Sequence, residues 1–143
     1  DWVLNLIACP AFERNKISFC SLLGISYYLY KQDFARTINT ISSIVPNGSS
    51  IIFDYPDENT YTSSAGERVK KQTALADAAN EKILASYSYS ELEQLLGDSN
   101  FLIYEHLTPN EITEQYFKEY NELNPLHPIT AFDNVNYCLA VKG

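Results

Sequence analysis

Ile17-Ser18-Phe19-Cys20-Ser21-Leu22-Leu23-Gly24 is an uninterrupted run of apolar and small residues closed by a glycine. No charge breaks it, and the run Ile17 to Leu23 suits a strand buried on both faces. Downstream, Asp33 can cap a helix in which Phe34, Ile38, Ile41 and Val45 recur at helical spacing, until Pro46-Asn47-Gly48 stops it. Ser50-Ile51-Ile52-Phe53 reads as a second short buried strand, delivering Asp54-Tyr55-Pro56 at its C-terminal end. Residues 57–64 are polar and loop-like. From about Gly66 to Ala85 the composition turns helical, rich in Ala, Lys, Glu and Gln. A second helix starts at Ser90, where Ser90-Glu91-Leu92-Glu93 has capping-box spacing, and ends at Gly97. Residues 57–98 together read as a helical cover inserted between strands. Phe101 to Glu105 forms a third strand, and Thr108-Pro109-Asn110-Glu111 is a capping box opening a helix to about Glu122. Asn136 to Val141 makes a terminal strand.

This alternation of strands and helices defines an α/β domain, and right-handed crossovers set the first three strands parallel. Ligands in open sheets of this kind sit at the carboxyl ends of the strands. That rule selects Leu23 to Tyr28, Asp54 to Pro56, and Glu105-His106. A chain of 143 residues without an internal repeat or linker is one domain, and 45% hydrophobic residues are enough for a core.

Eighteen acidic against ten basic residues leave a formal charge of −8, a poor match for nucleic acid or an anionic membrane face. No apolar run approaches the roughly 18 residues of a membrane span. Trp2 to Cys9 is too short for one and has no basic residue before it, so it is not read as a signal peptide. Cys9, Cys20 and Cys138 are odd in number, widely spaced and set among apolar neighbours. They read as buried free thiols in a reducing cytoplasm rather than as disulfides or a zinc site. Asn47-Gly48-Ser49 reads as a turn. The opening Asp1-Trp2-Val3-Leu4 starts in mid-pattern, as if inside a helix, which is expected of a piece of a longer protein.

Ser21-Leu22-Leu23-Gly24-Ile25-Ser26-Tyr27-Tyr28-Leu29 resembles the segment around the fourth strand of the leucine carboxyl methyltransferase-like family, a class I S-adenosylmethionine-dependent group. Phe53-Asp54-Tyr55-Pro56 is similar to the family's fifth-strand ending. Ala85-Ser86-Tyr87-Ser88-Tyr89-Ser90-Glu91-Leu92 and Tyr104-Glu105-His106-Leu107 resemble segments of its O-methyltransferase branch. Tyr137-Cys138-Leu139-Ala140-Val141-Lys142 resembles its closing strand. The likeness implies the C-terminal half of a Rossmann-like methyltransferase sheet, strands four to seven, with the last antiparallel. It implies S-adenosylmethionine as cofactor and methyl transfer to oxygen on a small molecule.

The family's Gly-rich turn and acidic ribose holder have no counterpart here, because the five glycines, Gly24, Gly48, Gly66, Gly97 and Gly143, form no GxG. The expectation is a fragment that binds cofactor weakly or not at all. Its first strand would be an open apolar edge, favouring self-association there or along adjacent helix faces. The alternatives are a non-catalytic dimerising half-domain and a binding module without cofactor.

By the resemblance, Leu23 and Gly24 stand at the cofactor, Leu23 where many relatives have a Glu. Tyr27, Tyr28, Asp54, Tyr55 and His106 are the candidate acceptor-binding residues. The pattern alone gives ordinary alternatives: a plain turn for Gly24, core packing for Tyr27 and Tyr28, and a helix-capping or loop-bonding role for Asp54. His106 can act as a base for a hydroxyl acceptor or be a satisfied structural histidine. His127, between two prolines, is a loop residue. Tyr116, Phe117 and Tyr120 form a stripe that packs or covers the pocket. No metal cluster or hydrolase elbow is visible.

Overall fold

The computed structural model describes residues 2–79 and 84–143. In chain order the elements are α1 (Trp2–Ala8), β1 (Phe19–Leu22), a 3-10 turn (Ser26–Tyr28), α2 (Lys31–Ile44), β2 (Ser50–Pro56), α3 (Glu67–Ala78) and α4 (Tyr89–Gly97). There follow β3 (Phe101–Leu107), α5 (Pro109–Ile112), a π-helical turn (Thr113–Phe117), α6 (Lys118–Leu123) and β4 (Val135–Lys142). The four strands form one sheet in the order β1-β2-β4-β3. β1 and β2 are parallel, whereas β4 runs antiparallel to both β2 and β3. The first three strands therefore point the same way, and their carboxyl ends share one edge of the sheet.

The core lies on one face of that sheet. Strand alternation turns Ile51, Phe53 and Tyr55 of β2 to this face, together with Cys138 and Ala140 of β4. The helical stripe Phe34, Ile38, Ile41 and Val45 is buried against them, as its spacing requires, and α4 contributes Leu92 and Leu96. Phe34 meets the ring of Phe53 edge-on at 5.3 Å, and Tyr55 meets Tyr87 edge-on at 6.1 Å. Such pairs add to the burial of large rings.

Several expectations are corrected. β1 pairs only over Phe19–Leu22 and is not buried on both faces: Phe19 is 66% exposed. Among the described residues only β2 lies beside β1, so Cys20 and Leu22 pack on the core while the opposite face stays open. Asp33 is not the cap of α2. Tyr30 is, without a side-chain bond, and Asp33 sits in the first turn, where its charge still complements the helix dipole. The capping box of α4 is Ser88 with Glu91, two residues before the expected one. Tyr87 N–H donates to the Pro56 carbonyl at 2.9 Å, which holds Tyr87 to β2 and sets the start of the helix at its neighbour. The helix expected from Gly66 to Ala85 ends at Ala78; Ala85 is buried but in no helix, and residues 80–83 lie outside the described residues.

The box at Thr108 and Glu111 is present, but the helix after it is broken by the π-helical turn. Thr113 donates its hydroxyl to the Pro109 carbonyl at 2.8 Å and accepts from the Ala131 N–H at 3.0 Å. That side chain competes with the helical ladder where the ladder fails. β3 runs two residues further than expected, to Leu107, with a bulge between Ile103 and Glu105. Of the thiols, all free, Cys138 is buried and Cys20 half-buried, but Cys9, just beyond the end of α1, is exposed.

The fold predicts that Phe34→Ala, which empties the contact between α2 and β2, lowers unfolding stability by about 3–5 kcal/mol. Urea denaturation checks this as a lower midpoint with an unchanged slope.

Candidate functional site

The chain leaves β1 through Leu23-Gly24-Ile25. Gly24 has φ +70°. A Cβ there would meet no atom within 4 Å, so the glycine answers to the left-handed backbone rather than to crowding. Its N–H donates to Asp54 Oδ1 at 2.6 Å. The Tyr27 hydroxyl donates to Asp54 Oδ2, and the Ser26 hydroxyl donates to the Asp54 carbonyl oxygen at 2.6 Å. Asp54 is 7% exposed, and both carboxylate oxygens are engaged by this loop. Burial first, then the neighbouring Asp54, pushes the Tyr27 phenol far above its ordinary range, so it remains an O–H donor. Leu23 and Tyr28 are each about half exposed, and Tyr28 meets the Tyr27 ring edge-on at 6.3 Å.

One residue further along β2 the alternation turns Tyr55 to the core face. Its hydroxyl lies 2.6 Å from His106 Nε2, and the Tyr89 ring stands edge-on to the imidazole at 5.1 Å. Burial pushes Tyr55 up to about 12, opposed by a hydrogen bond from the Asn136 side chain. Burial also holds His106 below its ordinary value, with Glu111 acting the other way. A protonated phenol beside a neutral imidazole makes Tyr55 the donor and Nε2 the acceptor. The opposite tautomer would leave the buried phenol proton with no partner, at a cost of about 1–3 kcal/mol. His106 then carries its proton on Nδ1, which makes no hydrogen bond to the described residues.

Tyr55 and His106 line a cleft of 540 Å³ together with Asp57, Tyr89, Asp133 and Asn136, at the carboxyl ends of β2 and β3. Its walls are tied. Asp57 accepts from the Asn59 N–H at 2.8 Å and the Asn134 amide at 3.0 Å, while Arg68 pairs with Asp133 at 2.6 Å. A side chain at Gly66 would collide with the Asp133 carboxylate, so only glycine allows that approach. On the opposite sheet face, a more apolar cleft of 420 Å³ is lined by Ile52, Ile112, Tyr116, Phe117, Tyr137 and Leu139. Tyr116 and Phe117 of the expected stripe thus line a cleft, and Tyr120 lines neither.

The structure therefore brings Gly24, Tyr27 and Asp54 together, joins Tyr55 to His106, and leaves Leu23 and Tyr28 exposed, lining neither cleft. Asn136 stands opposite Tyr55 in the β2–β4 register, a proximity that strand pairing alone reveals. Tyr89 and Asp57 were missed for a similar reason, since the Asp57–Tyr87 bridge that draws them to His106 has no sequence signal. Among the described residues, no three His, Cys, Asp or Glu side chains gather as a metal site requires, and no helix is long and apolar enough to cross a membrane.

No family model matches the chain. It is 39% identical over 130 residues to "Putative S-adenosyl-L-methionine-dependent methyltransferase YktD" of Bacillus subtilis (strain 168), a match covering 90% of this chain and 41% of that protein. The chain thus spans less than half of this curated relative. A DUF574 family protein from Streptomyces avermitilis MA-4680 superposes with a TM-score of 0.67 at 10% identity, over 99% of this chain and 52% of its own. The mitomycin 7-O-methyltransferase MmcR superposes with a TM-score of 0.57 at 11% identity, over 96% of this chain and 32% of its own. The fold is a partial Rossmann-like sheet of the methyltransferase type. The sequence match is to a protein whose name describes a putative S-adenosyl-L-methionine-dependent methyltransferase.

The lowered His106 value has a sign. Because the folded ring resists protonation, the unfolded chain binds the proton more readily. The contribution is present above the ordinary value of 6.5 and is lost as pH falls below it, through the folded value. Proton NMR of the His106 ring is expected to give a midpoint below 6.5, and a midpoint at or above 6.5 contradicts the neutral, Tyr55-bound ring.

Proposed function

We propose that the chain supplies the acceptor-facing part of an S-adenosylmethionine-dependent O-methyltransferase acting on a small molecule. The observation that carries this reading is the 39% identity over 130 residues to YktD. The fold supports it, since the acidic and aromatic cleft opens at the carboxyl edge where α/β sheets bind ligands.

The residues present fit one side of the cofactor. Leu23 and Ile25 are exposed on either side of Gly24, forming an apolar shelf at the end of β1 that suits an adenine ring or a thioether. No side chain on that shelf accepts a hydrogen bond, so a ribose needs its partner elsewhere. When bound, the cofactor supplies an electrophilic methyl group on a sulfonium sulfur. What this chain's residues contribute is alignment and exclusion of water, which suffice for much of an in-line displacement. Asp54 fixes the loop that carries the shelf. The Tyr55–His106 pair presents an N–H donor to an acceptor oxygen in the cleft.

A second reading is a half-domain that associates through its sheet edge. It is supported by the exposed Ile17 and Phe19 beside the open side of β1.

Titration of the chain with S-adenosylhomocysteine, followed by amide NMR, tests the first reading. Weak, saturable shifts at Leu23, Gly24 and Ile25 are expected. No shift in this loop at the solubility limit of the ligand contradicts the assignment of the shelf to the cofactor.

A further inference from the structure

We propose that the acceptor held in the 540 Å³ cleft between Tyr55, Tyr89 and His106 is a cationic hydroxyl compound rather than a carboxylate. The inference rests on reading this cleft as the acceptor's place.

Charge is the first argument. The lining includes Asp57, Glu58 and Asp133 and contains no lysine or arginine. Asp133 is neutralised by Arg68 at 2.6 Å. Asp57 is not: its oxygens accept from the neutral amide of Asn134 and from the Asn59 N–H. Glu58 is exposed and makes no ion pair among the described residues. Two uncompensated negative charges thus stand at one end of a concave surface, within a chain of net charge −8. A recess of this kind concentrates cations and repels anions.

The rings are the second argument. Tyr89 and His106 form the aromatic wall, with Tyr89 half exposed, while Tyr87 behind them is buried with Lys31 over its ring at 5.1 Å. Aromatic faces attract an ammonium group through their quadrupole, most strongly where water is excluded. A carboxylate would meet the same faces with the opposite sign.

The hydrogen-bonding pattern fixes the other end of the ligand. With Nε2 accepting from Tyr55, the imidazole offers its Nδ1–H, which a hydroxyl oxygen accepts. A hydroxyl at His106 and a positive group towards Asp57 and Glu58 satisfy all three features at once.

Tyramine and 4-hydroxyphenylacetate share a ring and a hydroxyl and carry opposite charges. Each is titrated into the chain and followed by the ring protons of His106, one of two histidines in the sequence. Tyramine is expected to shift His106 with an affinity about tenfold higher than the acid, equivalent to roughly 1.4 kcal/mol. The preference is expected to shrink with added salt and to disappear in Glu58→Lys, a change at an exposed position. Equal affinity, a preference for the acid, or a His106 signal that neither compound moves overturns the proposal. So does a Glu58→Lys variant that keeps the full preference. These outcomes are independent of the S-adenosylhomocysteine titration, which reports on the loop at Gly24, so failure of one reading is distinguishable from failure of the other.

Discussion

A carboxylate at the end of β2 holds the loop that leaves β1. Asp54 accepts the Gly24 N–H on one oxygen and the Tyr27 hydroxyl on the other, and its backbone carbonyl accepts the Ser26 hydroxyl. Among the described residues no cation pairs with it. A nearly buried charge in that position is costly unless donors replace its water, and here one N–H and one O–H do so. The dependence runs in both directions. The loop takes its left-handed turn at Gly24 in order to aim an amide at Asp54, and Asp54 tolerates burial because the amide is there.

The position of everything else at the carboxyl edge follows from this tie. With β1 and β2 parallel and their ends joined, Leu23 and Ile25 are presented as a shelf instead of folding over the strand ends. Tyr55, the next residue along β2, is turned by strand alternation to the opposite face and meets His106 of β3. One strand end therefore serves two places: Asp54 organises the β1 loop, and Tyr55 organises the cleft. The loop on one side of the sheet and the cleft on the other are therefore joined by a single peptide unit of β2.

Much of this was legible in the sequence. The helical stripe of α2, the apolar run of β2 and the Thr108 capping box are local signals with one physical meaning each, and they place the three strand ends. What was not legible depends on pairing. Nothing in Phe19 tells an inner strand from an edge, so the burial of β1 was overestimated. Ser88 and Ser90 both satisfy the capping-box spacing, and the tertiary bond from Tyr87 to Pro56 decides between them. Thr113 reads as an ordinary helical residue until Ala131, 18 positions away, donates to its hydroxyl. Within the site, Asp54 was legible as a candidate at the end of an apolar strand, but what holds it lies 27 to 30 positions earlier. Asn136 and Tyr89 became visible only with the sheet register and the Asp57–Tyr87 bridge.

The central claim is that Asp54 and the β1 loop stabilise one another. A double-mutant cycle with Asp54→Asn and Tyr27→Phe, measured by urea denaturation, tests it most directly. If the carboxylate and the phenol act as a unit, the combined loss falls short of the summed single losses by about 1–2 kcal/mol. Losses that add within about 0.5 kcal/mol, the behaviour of independent sites, would contradict it.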